Sequence, residues 1–129
     1  MAKTTQLTLT LESRPGVLAK ISRVLADAGI NVTAICAAEA AGRGKIRMLV
    51  SDPARAKEAL KAAKLRCGEE PALTLTLGDH PGALAQVAET LAQSKINIKC
   101  AYATTTGGGS ATVVLTVSNP DKAHGLLGS

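Results

Sequence analysis

The residues able to do chemistry in this chain are few, and most of them stand in two short loops. One loop is Ser13-Arg14-Pro15-Gly16 and the other is Asp79-His80-Pro81-Gly82. Asp79 beside His80 sets an acid next to a base. Adjacency in a loop does not make a catalytic dyad, because a general base must reach the proton that it takes. The only other histidine is His124, and no Ser/His/Asp order accompanies either one. No catalytic residue is expected, and the chain does not read as an enzyme. Cys36, Cys67 and Cys100 form no CxxC pair and no Cys/His cluster, so no metal site is expected and no cofactor is implied. The thiols read as free, small residues in a reducing compartment. Gly107-Gly108-Gly109 reads as a hairpin turn, since no helix opening with Lys and Ser or Thr follows to make a phosphate cradle.

Composition narrows the classes further. The net charge is +5, from 15 basic and 10 acidic residues that are scattered along the chain. Scattered charge reads as a solvated surface. A nucleic-acid platform would need stacking aromatics or a basic stripe, and the chain has one Tyr and neither Phe nor Trp. No nucleic acid is expected as a partner. No apolar run approaches the ~18 residues of a membrane span, and "MAKTTQLT" has no apolar signal core. The expectation is a cytoplasmic protein without a membrane partner.

The loops are positioned by a duplicated unit. Aligned without gaps, Leu7–Gly44 and Leu73–Ser110 are identical at 15 of 38 positions. Beyond the glycine turn the register moves by one, and "VSDPARA" faces "VSNPDKA". Within each copy the periodicity changes in the same order. Leu7, Leu9 and Leu11 alternate with threonines, as in a strand with one apolar face. Pro15-Gly16 breaks the pattern, and Val17, Leu18, Ile21, Val24 and Leu25 then recur at helical spacing. Gly29 stops that helix. Two strands joined by "GRG" follow, and Asp52-Pro53 opens a second helix as N-cap and first helical residue. The second copy repeats this with strands over Ala72–Leu77, Ile96–Thr105 and Ser110–Ser118, and a short last helix from Pro120 to about Leu127.

The fold class implied is α+β. The chain reads as two ferredoxin-like βαββαβ modules in tandem, with antiparallel sheets and both helices on one face. The modules span residues 5–70 and 71–129. Lys64–Glu70 leaves room for a closing strand in the first, whereas in the second the final strand is missing. Simple alternation places Ile35, Ala37, Ala101 and Ala103 with Thr8, Thr10, Thr74 and Thr76 on the face away from the helices. That face is small and partly apolar, so a cover is expected, most simply by self-association as a homodimer.

The strand, the x-x-P-G-x-L turn into a helix and the Ile-Asn that opens the next strand, each present twice, resemble the ACT domain. The pattern is similar to small stand-alone proteins made of two ACT domains. The resemblance implies a module that binds amino acids and related metabolites. It places the ligand between the first loop of one module and the start of the second strand of a neighbour. The matching residues are Ser13, Arg14, Pro15, Gly16 and Asn31 in the first copy, and Asp79, His80, Pro81, Gly82 and Asn97 in the second. Here the helix start would receive a carboxylate, the loop side chain an ammonium, and the Asn both ends. Asp79 brings a charge for the ammonium that Ser13 lacks, so the site with Asp79, completed by Asn31 across an interface, should bind better. Ser13 and Asp79 are equally candidates for plain helix caps. Gly82 is expected to leave room for the ligand. The function implied is a non-enzymatic, amino-acid-binding regulatory protein. The alternative is a detached regulatory subunit with an enzyme partner.

Overall fold

The alternation of LTLTL becomes the first strand of the computed structural model, which describes residues 2–105 and 107–128. Ser129, the end of the expected second module, lies outside the described residues. The elements run β1 (Ala2–Glu12), α1 (Val17–Asp27), β2 (Val32–Ala40), β3 (Arg43–Val50), α2 (Pro53–Ala62), β4 (Gly68–Gly78), α3 (Ala83–Gln93), β5 (Ile98–Thr105), β6 (Ser110–Val117) and α4 (Pro120–Leu127). All sheet pairings recorded between them are antiparallel, and the order of elements is that of ferredoxin-like modules. The chain divides into two compact units, one running from Thr5 to Glu70 and the other from Pro71 onward with residues up to Thr4.

In the first unit the strand order is β2-β3-β1. Leu7 lies opposite Met48 and Leu9 opposite Ile46. Their side chains share one face and meet Ile21 and Leu25 of α1 and Ala56 and Leu60 of α2, all of them buried. Each such Leu contributes about 1.5–3 kcal/mol relative to an exposed one. Asp52 caps α2 by accepting the Arg55 N–H at 3.2 Å, with Pro53 at the first turn. The first residues of β4 close this unit, with Gly68 packed against Thr8.

The second unit has the order β4-β6-β5. Leu73, Leu75, Val113 and Leu115 meet Val87 and Leu91 of α3 and Ala123 of α4. Asn119 caps α4 through the Lys122 N–H at 3.1 Å, as Asp52 caps α2. Residues 2–4 of β1 belong to this unit, and Lys3 Nζ donates to Asp121 at 2.6 Å. The ammonium holds the Asp121 carboxyl below the ordinary carboxylate range. A lowered value means that the pair favours folding above that range and is lost as pH falls through it.

Two expectations are corrected. The closing strand in Lys64–Glu70 and the strand Ala72–Leu77 are one strand, β4, that passes straight through Pro71. Pairing with β6 begins at Leu73, two residues beyond Pro71. The second correction concerns the faces. The register slips between Val32 and Ala34, and again between Ile98 and Cys100. One extra residue in a strand of period two sends every later side chain to the other face. Ile35 therefore lies opposite Met48 and Ala37 opposite Ile46 on the helix side, while Cys36 pairs with Arg47 on the outer face. Ala101 and Ala103 move likewise, opposite Leu115 and Val113.

The outer face is also less open than its composition suggests. Gln6 in the first unit, and Ala72, Val114 and Thr116 in the second, are buried in the single chain. These positions need no second copy to cover them. Gln6 Nε2 and Arg47 Nε both donate to Glu70 Oε1, at 2.9 and 3.1 Å. The Arg47–Glu70 pair is largely shielded, with side chains 19% and 24% exposed.

Glu70→Ala removes an acceptor that two donors share and should lower stability by about 1–3 kcal/mol. Glu58→Ala on the exposed side of α2 should change it by less than ~0.5 kcal/mol. Urea unfolding of both variants measures the difference, and equal losses would show that the Glu70 contacts do not hold the outer face together.

Candidate functional site

Each candidate loop is fixed by the same three backbone bonds. Its first residue donates to the hairpin turn alongside: Ser13 N–H to Gly42 O and Asp79 N–H to Gly109 O, both 3.0 Å. The chain then tightens, with Val17 N–H reaching Arg14 O at 3.4 Å and Ala83 N–H reaching His80 O at 3.3 Å. The helix begins as Lys20 and Gln86 donate to the carbonyls of Gly16 and Gly82, at 2.9 and 3.1 Å. Gly16 and Gly82 are the helix N-caps, and both sit in the left-handed region, at φ 90° and 91°. A side chain rarely adopts that conformation. A Cβ at either position would meet nothing within 4 Å. Backbone conformation alone accounts for glycine at both positions, and the space where its side chain would lie is open.

No side chain caps α1 or α3. This removes the capping role for Ser13 and Asp79 and leaves the first N–H groups of both helices without side-chain acceptors. Both side chains turn instead to the end of the second strand. Ser13 Oγ donates to Glu39 Oε2 at 2.8 Å. Thr105 Oγ1 lies 3.2 Å from Asp79 Oδ2, sharing its single proton between that oxygen and Ser110 O at 3.0 Å. Glu39 and Thr105 occupy matching positions of the repeat. Each unit thus holds one hydroxyl–carboxylate pair, with the two partners exchanged between loop and strand. The first loop does not lack a carboxylate: its acid stands on β2.

Ser13 and Glu39 line one cleft, and Asp79 lines a matching one in the second unit. The first has a volume of about 260 Å³ and a floor of Leu11, Val17, Leu18, Ala37 and Ile46, with Ser13, Arg14 and Glu39 at its polar side. The second, of about 230 Å³, is lined by Leu77, Ala83, Leu84, Ala103 and Val113 with Asp79 and His80. Leu18 and Leu84 are 44% and 53% exposed, a high value for leucine. The polar rims differ. Glu12 lines the first cleft, and its counterpart in the second is Gly78. The His80 ring lies where a Cβ on Gly78 would be, 2.7 Å from Cδ2, and its Nδ1 is 3.0 Å from Pro81 O. Pro15 and Gly16 face a separate cavity of about 470 Å³ together with Arg14, Lys20 and Leu65.

Asn31 and Asn97 are not brought to the loops of their own units. They stand at the opposite end of the sheet, where their backbone N–H groups donate to Ser51 and Ser118 hydroxyls at 3.0 Å. Both residues are exposed. The residues that the sequence reading missed are Glu39, Thr105, Gly78 and the leucine pair. The signal for Glu39 and Thr105 was their matching position, 66 apart, which becomes informative only once the hairpin folds back on the loop.

A larger cavity, about 650 Å³, lies elsewhere, along α2 and the following turn in the first unit, lined by Leu65 and Cys67 with Lys57, Lys61, Lys64 and Arg66. Burial pushes the Cys67 thiol up, opposed by the Lys57 charge. All three cysteines are half-buried and none forms a disulfide. Among the described residues no group of His, Cys, Asp and Glu could hold a metal ion, and no helix is long and apolar enough to cross a membrane.

A sequence model of the ACT domain pair matches residues 2–127. A solved protein from Bacteroides thetaiotaomicron is 34% identical, with a TM-score of 0.91, over 97% of this chain and 86% of its own. The regulatory subunit of aspartate kinase from Thermus thermophilus is 18% identical, with a TM-score of 0.68, over 98% of this chain and 95% of its own. A structure of aspartokinase alpha and beta subunits is 21% identical, with the same TM-score, over 98% and 93%. At those two identities the likeness is one of fold. No curated protein matches the sequence.

Gly16→Ala and Gly82→Ala should each cost about 1–2 kcal/mol, because alanine must enter the left-handed region. Gly125→Ala, inside α4 with no positive φ and nothing within 4 Å, should instead stabilise by about 0.5–1 kcal/mol. Chemical denaturation separates the two cases. A neutral effect at Gly82 would mean that the turn relaxes freely.

Proposed function

Because the chain belongs to the ACT domain pair family, we propose that it is a non-enzymatic regulatory protein that binds a free amino acid at the loop cleft. The observation that carries this reading is the second cleft. There an apolar floor, a carboxylate held by a hydroxyl and an uncapped helix start stand together. Asp79 suits an α-ammonium, which forms charge-assisted hydrogen bonds with a carboxylate. The N–H groups of the first turn of α3 beyond Ala83, and the positive end of its dipole, suit the ligand's carboxylate. The alanine and leucine floor suits a small apolar side chain. Asn31 or Asn97 would add an amide only from a module other than the one that supplies the loop, since each lies at the far end of its own unit. Occupancy would then favour one arrangement of modules over another and so carry a signal.

Differential scanning fluorimetry against each of the twenty amino acids tests the reading. At least one should raise Tm by several degrees, since ligand at 100 times Kd adds about 2.7 kcal/mol. Asp79→Asn, which keeps the hydrogen bond acceptor and removes the charge, should weaken that amino acid about tenfold or more. If none of the twenty shifts Tm, this function is wrong.

A further inference from the structure

We propose that Glu39, on β2, is the ligand-binding carboxylate of the first cleft, so that each chain carries two competent clefts with the acid supplied from opposite sides. This rests on the reading of the clefts as amino-acid sites. Three observations lead to it. The two clefts are matched in position and nearly in volume, about 260 and 230 Å³, and both have apolar floors. The hydroxyl–carboxylate pair is present in both and merely exchanged: Ser13 on the loop with Glu39 on the strand, Asp79 on the loop with Thr105 on the strand. Glu39 and Asp79 are both exposed, and neither is engaged by a cation among the described residues.

The physical logic is that Glu39 is an exposed carboxylate beside an apolar recess, and no ion pair joins it to Arg14 on the same rim. A hydroxyl satisfies one oxygen and holds the group in place, and the other oxygen can take an ammonium. Glu39 faces Gly44 across the β2–β3 pair, so no side chain from the neighbouring strand occupies the space beside it. Glu12, a second acid on the rim of the first cleft, has no counterpart in the second, where Gly78 stands. It is therefore outside the shared pattern. An ammonium-bearing ligand at the first cleft would meet an acid on the strand, and at the second an acid on the loop, with the uncapped helix start in the same place in both.

The test is equilibrium dialysis of the full chain against an equimolar mixture of the twenty L-amino acids, followed by analysis of what is retained. Wild type should retain about two amino acids per chain, one per cleft. Glu39→Gln should lose one of them, and Asp79→Asn the other. The double variant Ser13→Asp/Glu39→Thr, which copies the second cleft's arrangement into the first, should restore the count. Full retention by Glu39→Gln overturns the assignment of Glu39. Loss in Glu39→Gln without recovery in the double variant overturns the exchange of partners. Retention of one amino acid by wild type, abolished by Asp79→Asn, overturns the first cleft as a site while leaving the function intact. No retention by wild type overturns the function and this proposal with it. Circular dichroism of each variant shows whether it is folded, and the exposed setting of Glu39 predicts unchanged spectra.

Discussion

The left-handed backbone at Gly16 and Gly82 is the constraint on which the rest of the site depends. It turns the chain from strand end to helix start within four residues. The turn is tight enough that the loop's first residue still bonds to the adjacent hairpin, so loop and second strand are locked side by side. It also occupies the N-cap position with a residue that has no side chain. Both helix starts consequently lack a side-chain cap, and among the described residues only their first N–H is taken up, by the loop carbonyl of Arg14 or His80. A Ser or Asp at that position would have capped the helix and closed the same surface.

The second determinant is the bulge near the start of β2 and of β5. By shifting the strand by one residue it moves Ala37 and Ala103 to the helix side, where they form part of each cleft floor. Without the slip Ala103 would face away, and Tyr102 and Thr104 would turn to the helix side in its place. The clefts are thus a product of two irregularities, a turn in the forbidden region and an extra residue in a strand, set in an otherwise regular α+β framework. The high likeness to the Bacteroides protein and the lower one to aspartate kinase subunits both concern this framework.

Most of the framework was legible in the residues. The alternation of Leu7, Leu9 and Leu11, the helical spacing of Ile21 and Leu25, the caps at Asp52 and the stop at Gly29 all encode local geometry, which period and turn chemistry report directly. The loop itself was legible for the same reason. What was hidden depends on contacts that close over distance. The bulges change no residue type, so alternation counted from Asn31 put Ile35 and Ala37 on the wrong face. Pro71 falls where the two modules were divided, yet β4 runs through it. Glu39 stands 26 residues from Ser13, and only the hairpin that brings them within 2.8 Å turns two ordinary polar residues into a pair. Residues 2–4 fell outside both expected modules, yet they group with the unit at the far end of the chain.

The exchange of hydroxyl and carboxylate also bears on how the duplicated gene can drift. Each pair is one acid and one alcohol, and a single change toward the other copy breaks that rule. Ser13→Asp alone would set two like charges beside each other. Glu39→Thr alone would leave a pair of alcohols with no acid. Either copy therefore reaches the other's arrangement only through two changes, with the acid–alcohol pair absent after the first. At these four residues the symmetry of the repeat is kept in exchanged form.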